Sequence, residues 1–201
     1  MSQTQTERVL ELIRQAGVLR PRDLKAHGLS PEYLRRLEEC GSVLRSSRGL
    51  YMLADALFTE HHSLAEACKR VPRGVICLLS ALEFHGLTTQ WPDEVWMAID
   101  GKARLPRLAY PPLHIARFSG AAYTYGIEEH VIEGVRVPVY SPAKTVADCF
   151  KYRNKIGLSV ALEALKDAHQ KLDVSLDDIY RAAKVCRVDR VMQPYLDGMM
   201  A

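Results

Sequence analysis

The sequence predicts an α+β, mixed α/β fold: three short helices and a hairpin at the start, then a mixed-sheet domain that closes with helices. Three observations lead there. Capping signals stand ahead of apolar residues at helical spacing through residues 4–41. Val135, Val137 and Val139 alternate strictly with Arg136, Pro138 and Tyr140, the period of a strand. Amphipathic runs with their own caps then follow in succession through the last third of the chain. With 48% hydrophobic and 25% charged residues among 201, the chain can fill a core, which argues against disorder.

The opening elements follow from local chemistry. Thr4-x-x-Glu7 is a capping-box pattern, and Val9, Leu10, Ile13 and Ala16 recur on one helical face until Gly17 stops the run. Pro21 suits the first turn of a second helix, Pro21 to His27, closed by Gly28. Ser30 is the N-cap of a third, with Pro31 next, Glu32 to Cys40 as its body and Gly41 after it. Leu34 and Leu37 share the inner face of that helix, so Glu32, Arg35, Arg36 and Glu39 point away. Ser42 to Arg45 and Leu50 to Leu53 read as two strands around the turn Ser46-Ser47-Arg48-Gly49, where Gly49 can take a positive φ. Two short helices on a tight turn, followed by a hairpin, make a winged helix-turn-helix.

Residues 55–72 read as a helical connector, through the amphipathic Ser63 to Arg70. Beyond it the apolar run Gly74 to His85 is predicted helical, and Glu94 to Ile99 and Leu113 to Phe118 as strands. His130-Val131-Ile132 pairs back onto residues 135–140 across Glu133-Gly134. Ser141 caps a helix with Pro142 in its first turn and Ala143 to Tyr152 as its body; Gly157 to Gln170 and Ser175 to Arg187 are further helices. The tail through Met192 and Tyr195 reads as one more. The expected organisation is a winged helix-turn-helix over residues 1–54, the connector 55–72 and an α/β domain over 73–201.

Charge gives the first quarter a partner. Residues 1–54 hold nine Lys and Arg against six Asp and Glu, and the rest of the chain balances, so the whole net charge of +3 lies there. The guanidinium groups of Arg45 and Arg48 on the wing suit phosphates or a minor groove, and Ser46 and Ser47 add short donors. With Arg22 on the second helix and Ser30, Tyr33, Arg35 and Arg36 on the third, they form the expected contact set for double-stranded DNA. A single weakly charged module implies two or more copies, associating on inverted repeats.

Other chemistries fit the sequence poorly. Pro92-Asp93 and Asp100-Gly101-Lys102 resemble a metal-nuclease pattern, but a strand between the two carboxylates separates them by about 23 Å at roughly 3.3 Å per residue. Ser80, Glu83 and His85 lack a nucleophile elbow, His61-His62 lacks a second ligand pair, and Lys144 with Asp148 reads as an i, i+4 ion pair. No glycine-rich phosphate loop is present. Five scattered cysteines, an odd number, read as buried reduced thiols. With no apolar run of membrane length and a polar start, the expected location is cytoplasmic, with no membrane partner and no cofactor or metal.

The stretches "SRGLYML", "RVPRGVICLLSALEFHGLTT" (70–89), "VWMAID" and "VPVYSPAKTVADCFKYR" (137–153) resemble the AbiEi-type antitoxins of type IV toxin–antitoxin systems. That resemblance implies an N-terminal repressor of the protein's own operon, with Ser30, Tyr33, Arg35 and Arg36 on its recognition helix and Arg45, Ser46, Ser47 and Arg48 on its wing. It also implies an α/β domain that counteracts a nucleotidyltransferase-like toxin, with or without direct contact, as in abortive infection. The toxin's own Gly-Ser and D-x-D signature is absent. Two alternatives stay open at this point: a metal-dependent nuclease delivered by the winged helix, and a ligand-responsive transcriptional regulator with no toxin partner.

Overall fold

The computed structural model describes residues 4–47, 49–55, 59–108 and 110–200, with the side chains of 46, 47 and 200 left out. The chain divides into two compact units, Met1–Arg70 with Val131–Arg136, and Val71–His130 with Val137–Ala201. The architecture is mixed α+β, with helices first, then a mixed sheet and C-terminal helices.

In the first unit, α1 (Gln5–Ala16) begins at the capping box: Thr4 Oγ1 accepts from the Glu7 N–H, and the Glu7 carboxylate accepts from the Thr4 N–H. α2 (Pro21–Ala26) carries Pro21 in its first turn. α3 (Glu32–Glu39) follows Pro31, and the Ser30 hydroxyl accepts from the Glu32 N–H at 3.3 Å. β1 (Val43–Ser47) and β2 (Leu50–Leu53) form the hairpin. β1 runs two residues further than the spacing predicts, because a register irregularity between Arg45 and Ser47 absorbs part of the expected turn. Leu19 adds an isolated antiparallel bridge to this two-stranded sheet, exchanging both backbone hydrogen bonds with Tyr51. Val9, Ile13, Leu24, Leu29, Leu34 and Leu37 form the core that these elements share. α4 (His62–Arg70) completes the helices of this unit.

The turn Glu133-Gly134 also belongs to the first unit. Both residues have positive φ, 51° and 73°, the backbone of a tight two-residue hairpin turn. Gly17 lies against it: a Cβ there would fall 1.2 Å from the Glu133 carbonyl oxygen, so only glycine allows the approach. The Glu133 carboxylate accepts from the Thr59 N–H (2.8 Å) and hydroxyl (2.9 Å) and lies 2.6 Å from His62 Nδ1. Burial pushes this carboxyl up, but those hydrogen bonds and the imidazole outweigh burial and hold it below its usual 4.5. A carboxyl depressed on folding contributes stability above its unfolded value, and the contribution disappears as pH falls through the folded value. Glu133→Gln is therefore expected to lower the melting temperature at pH 7 and to converge on the parent chain only as pH falls through the depressed folded value of this carboxyl. A constant gap across that range, followed by circular dichroism, would refute the linkage.

The second unit is built on a five-stranded sheet, ordered β5-β4-β3-β7-β6. Its elements are β3 (Val75–Ile76), α5 (Leu78–Phe84), β4 (Val95–Asp100), β5 (Leu113–Phe118), α6 (Ala121–Thr124), β6 (Ile127–Ile132) and β7 (Val135–Tyr140). Helices α7 (Pro142–Lys151), α8 (Arg153–Ile156), α9 (Leu158–Lys171), α10 (Leu176–Cys186) and α11 (Asp189–Met200) follow. β3 is antiparallel to β4 and parallel to β7, while β4 and β5 are parallel, so the sheet is mixed. The run Gly74 to His85 is not one helix as its apolarity suggests. Two residues of it are a central strand, and the chain turns at Leu78 (φ 48°) to start α5.

α7 is the central helix, buried at every position from Lys144 to Phe150, and Ser141 caps it by accepting from the Lys144 N–H. Lys144 and Asp148 are wholly buried, with Nζ 2.5 Å from Oδ2. Ser80 is buried and His85 partly buried: Ser80 Oγ accepts from the Trp96 N–H, and His85 Nε2 lies 2.8 Å from the Tyr140 carbonyl oxygen. All five cysteines are free and four are buried; Cys40, read as buried, is exposed because it falls just beyond the last turn of α3. Among the described residues no group of three or more His, Cys, Asp or Glu could hold a metal ion, and no helix is long and apolar enough to cross a membrane.

Candidate nucleic-acid interface

The sequence places α2 and α3 around the turn His27 to Ser30, where Gly28 takes φ 68° and Leu29 drops into the core beneath both helices. Leu34 and Leu37 anchor the inner face of α3. Burial of two leucines fixes the rotation of this short helix, and Arg35 and Arg36 are exposed as a result. The Leu37 carbonyl accepts from the Ser42 N–H at 2.9 Å, so α3 leads directly into β1.

The two arginines of α3 differ in what already holds them. The Arg35 guanidinium is bonded to Glu32 at 2.8 Å and lies 3.6 Å from Glu39, one turn away on each side. Arg36 has no carboxylate partner among the described residues, and its guanidinium carbon sits 6.0 Å from the centre of the Tyr33 ring. Tyr33 is half-buried against the core, so its ring is a support for the exposed Arg36 cation. On the wing, Arg45 is exposed and lies 6.0 Å from the Tyr51 ring, the residue paired with it across the hairpin. It too has no carboxylate partner among the described residues.

The remaining expected residues are dispersed over the same elements. Arg22 is exposed on α2, with Nε 3.9 Å from Asp23. Ser30 is exposed at the head of α3. Ser46 and Ser47 lie in β1, with side chains outside those described, and Arg48 lies outside the described residues. The sequence reading overlooked Tyr51. Its signal was present in the alternation of β2, where Leu50 and Met52 are buried and Tyr51 faces the other way.

Residues 7–54 match the AbiEi_4 family, described as "Transcriptional regulator, AbiEi antitoxin", consistent with an AbiEi-type antitoxin. No curated protein matches the chain. Its fold is similar to the crystal structure of the RV2827C protein from Mycobacterium tuberculosis, with a TM-score of 0.60 and 17% identity over 92% of this chain and 72% of that one.

Proposed function

We infer that this chain, matched over residues 7–54 to the AbiEi-type regulators, is a DNA-binding transcriptional repressor and antitoxin. In this reading residues 1–54 bind operator DNA, 55–72 connect, and 73–201 counteract a nucleotidyltransferase-like toxin in the cytoplasm, as in abortive infection. One observation supports it most: α3 and the wing each present an exposed arginine, Arg36 and Arg45, that no carboxylate neutralises among the described residues. Exposed guanidinium groups on a recognition helix and on a wing suit base edges and phosphates respectively. No cofactor is needed, because both tasks are binding. Ser30, Tyr33 and Arg22 would add contacts along the same elements.

The repressor would autoregulate its operon by binding inverted repeats as two or more copies, with half-sites about 34 Å apart. Electrophoretic shifts with the DNA upstream of its own gene test this. A shift is expected that weakens steeply with salt, since each neutralised phosphate releases about 0.9 counterion. No shift, or one indifferent to salt, would overturn the repressor. Growth of cells carrying the adjacent toxin gene, with and without this chain, tests the antitoxin separately.

A further inference from the structure

Both tryptophans of the chain line one groove in the second unit. The segment Gln90 to Glu94 and Trp96, leading into β4, together with Leu79 of α5 borders an open groove of about 510 Å³. Trp96 is a fixed wall. Its backbone N–H donates to Ser80 Oγ, and its ring stacks on His114 at 3.7 Å with 17° between the planes. His114 is in turn placed by Glu94, 3.2 Å from its Nδ1. Trp91 is the opposite case, 70% exposed, with its backbone restricted by the following Pro92. An indole left largely in water beside a second indole is apolar surface that folding has not used.

The charged groups of the groove share one sign. Gln90, Asp93 and Glu94 line it, and no lysine or arginine does. Asp93 has no hydrogen bond or ion pair among the described residues. Indole faces are the best aromatic partners for a cation, and carboxylates at the same site add attraction for positive charge while repelling anions. The volume lies within the range of small-molecule sites, about 300–1,000 Å³.

We propose that the groove between Trp91 and Trp96 binds a small organic ammonium ion with an apolar body. The methyl or alkyl groups of such an ion would rest on the two indoles and Leu79, and Asp93 would supply the counter-charge. This site is independent of the nucleic-acid interface.

The two tryptophans make the test direct, because no other residue of this type contributes emission. The full chain is titrated with choline at constant ionic strength, with 3,3-dimethylbutan-1-ol as the neutral molecule of the same shape. A saturable change in emission is expected at roughly millimolar choline, with the alcohol at least about tenfold weaker. Trp91→Ala, read through Trp96, is expected to weaken choline about tenfold, and Asp93→Asn about threefold; both positions are exposed, and unchanged melting confirms folding. No saturation by roughly 100 mM, equal binding of the alcohol, or indifference to Trp91→Ala would each overturn the proposal. Tighter binding of N-acetylarginine amide than of choline would also overturn it, assigning the groove to a protein side chain.

Discussion

Asp148→Ala is expected to destabilise the protein by about 3–5 kcal/mol, the largest loss of any single substitution considered for the second unit. Lys144 and Asp148 are both 0% exposed. Asp148 Oδ2 takes Lys144 Nζ, and Oδ1 accepts from the Cys186 thiol at 3.2 Å. Burial, with the Asp148 charge second, pushes that thiol up to about 12, so it remains a donor. The ammonium also lies 4.0 Å from the Tyr140 ring and 4.6 Å from that of Phe118. Aromatic faces stabilise a desolvated cation, but by about 2 kcal/mol, too little to replace a carboxylate in contact. Removing Asp148 therefore strands a positive charge in the core, whereas removing both charges does not. Lys144→Met with Asp148→Leu is expected to recover most of the loss, since apolar residues of similar volume replace buried pairs at little cost. Urea unfolding of the two single variants and the double variant closes the cycle. Single variants that lose less than about 1 kcal/mol would mean that water reaches the pair.

The same helix shows what could be read in advance. The Ser141-Pro142 start and the i, i+4 spacing of Lys144 and Asp148 are local, so the helix and the ion pair were legible. Its burial was not. A lysine and an aspartate ordinarily mark a solvated face, and only the packing of α5, α9 and α10 around α7 encloses them. The cap of α1, the Glu133-Gly134 turn and the alternation of β7 were legible for the same local reason, whereas the N-cap of α3 is Pro31, one residue beyond the Ser30 that the sequence suggests. β3 failed because two residues carry no period, and its place between β4 and β7 is decided by pairing far along the chain. The Leu19–Tyr51 bridge and the close approach of Gly17 to Glu133 are likewise long-range. At the candidate interface the outward set of α3 could be derived from Leu34 and Leu37, but not the division between Arg35 and Arg36, which depends on which carboxylates a side chain reaches.

That division sets the second large effect: Arg36→Ala with Arg45→Ala is expected to weaken operator binding about a hundredfold or more. An arginine bidentate to guanine contributes about 1–3 kcal/mol of discrimination, so Arg36→Ala alone should cost roughly 5- to 150-fold and relax base preference at one position. Arg45→Ala should weaken all duplexes alike and reduce the salt slope by about one, the signature of a lost phosphate contact. Arg35→Ala should cost less than Arg36→Ala, because the Arg35 guanidinium must first leave Glu32 and Glu39 before it can reach DNA. Arg14, exposed on α1, paired with Glu11 and outside the expected contact set, serves as the control and should change nothing. Fluorescence anisotropy with the operator and a scrambled duplex, at several salt concentrations, separates these contributions. The ranking is the decisive part. If Arg35→Ala proves the more damaging, the ion pairs along α3 give way on binding, and Arg36 on its Tyr33 support is not the base-reading residue.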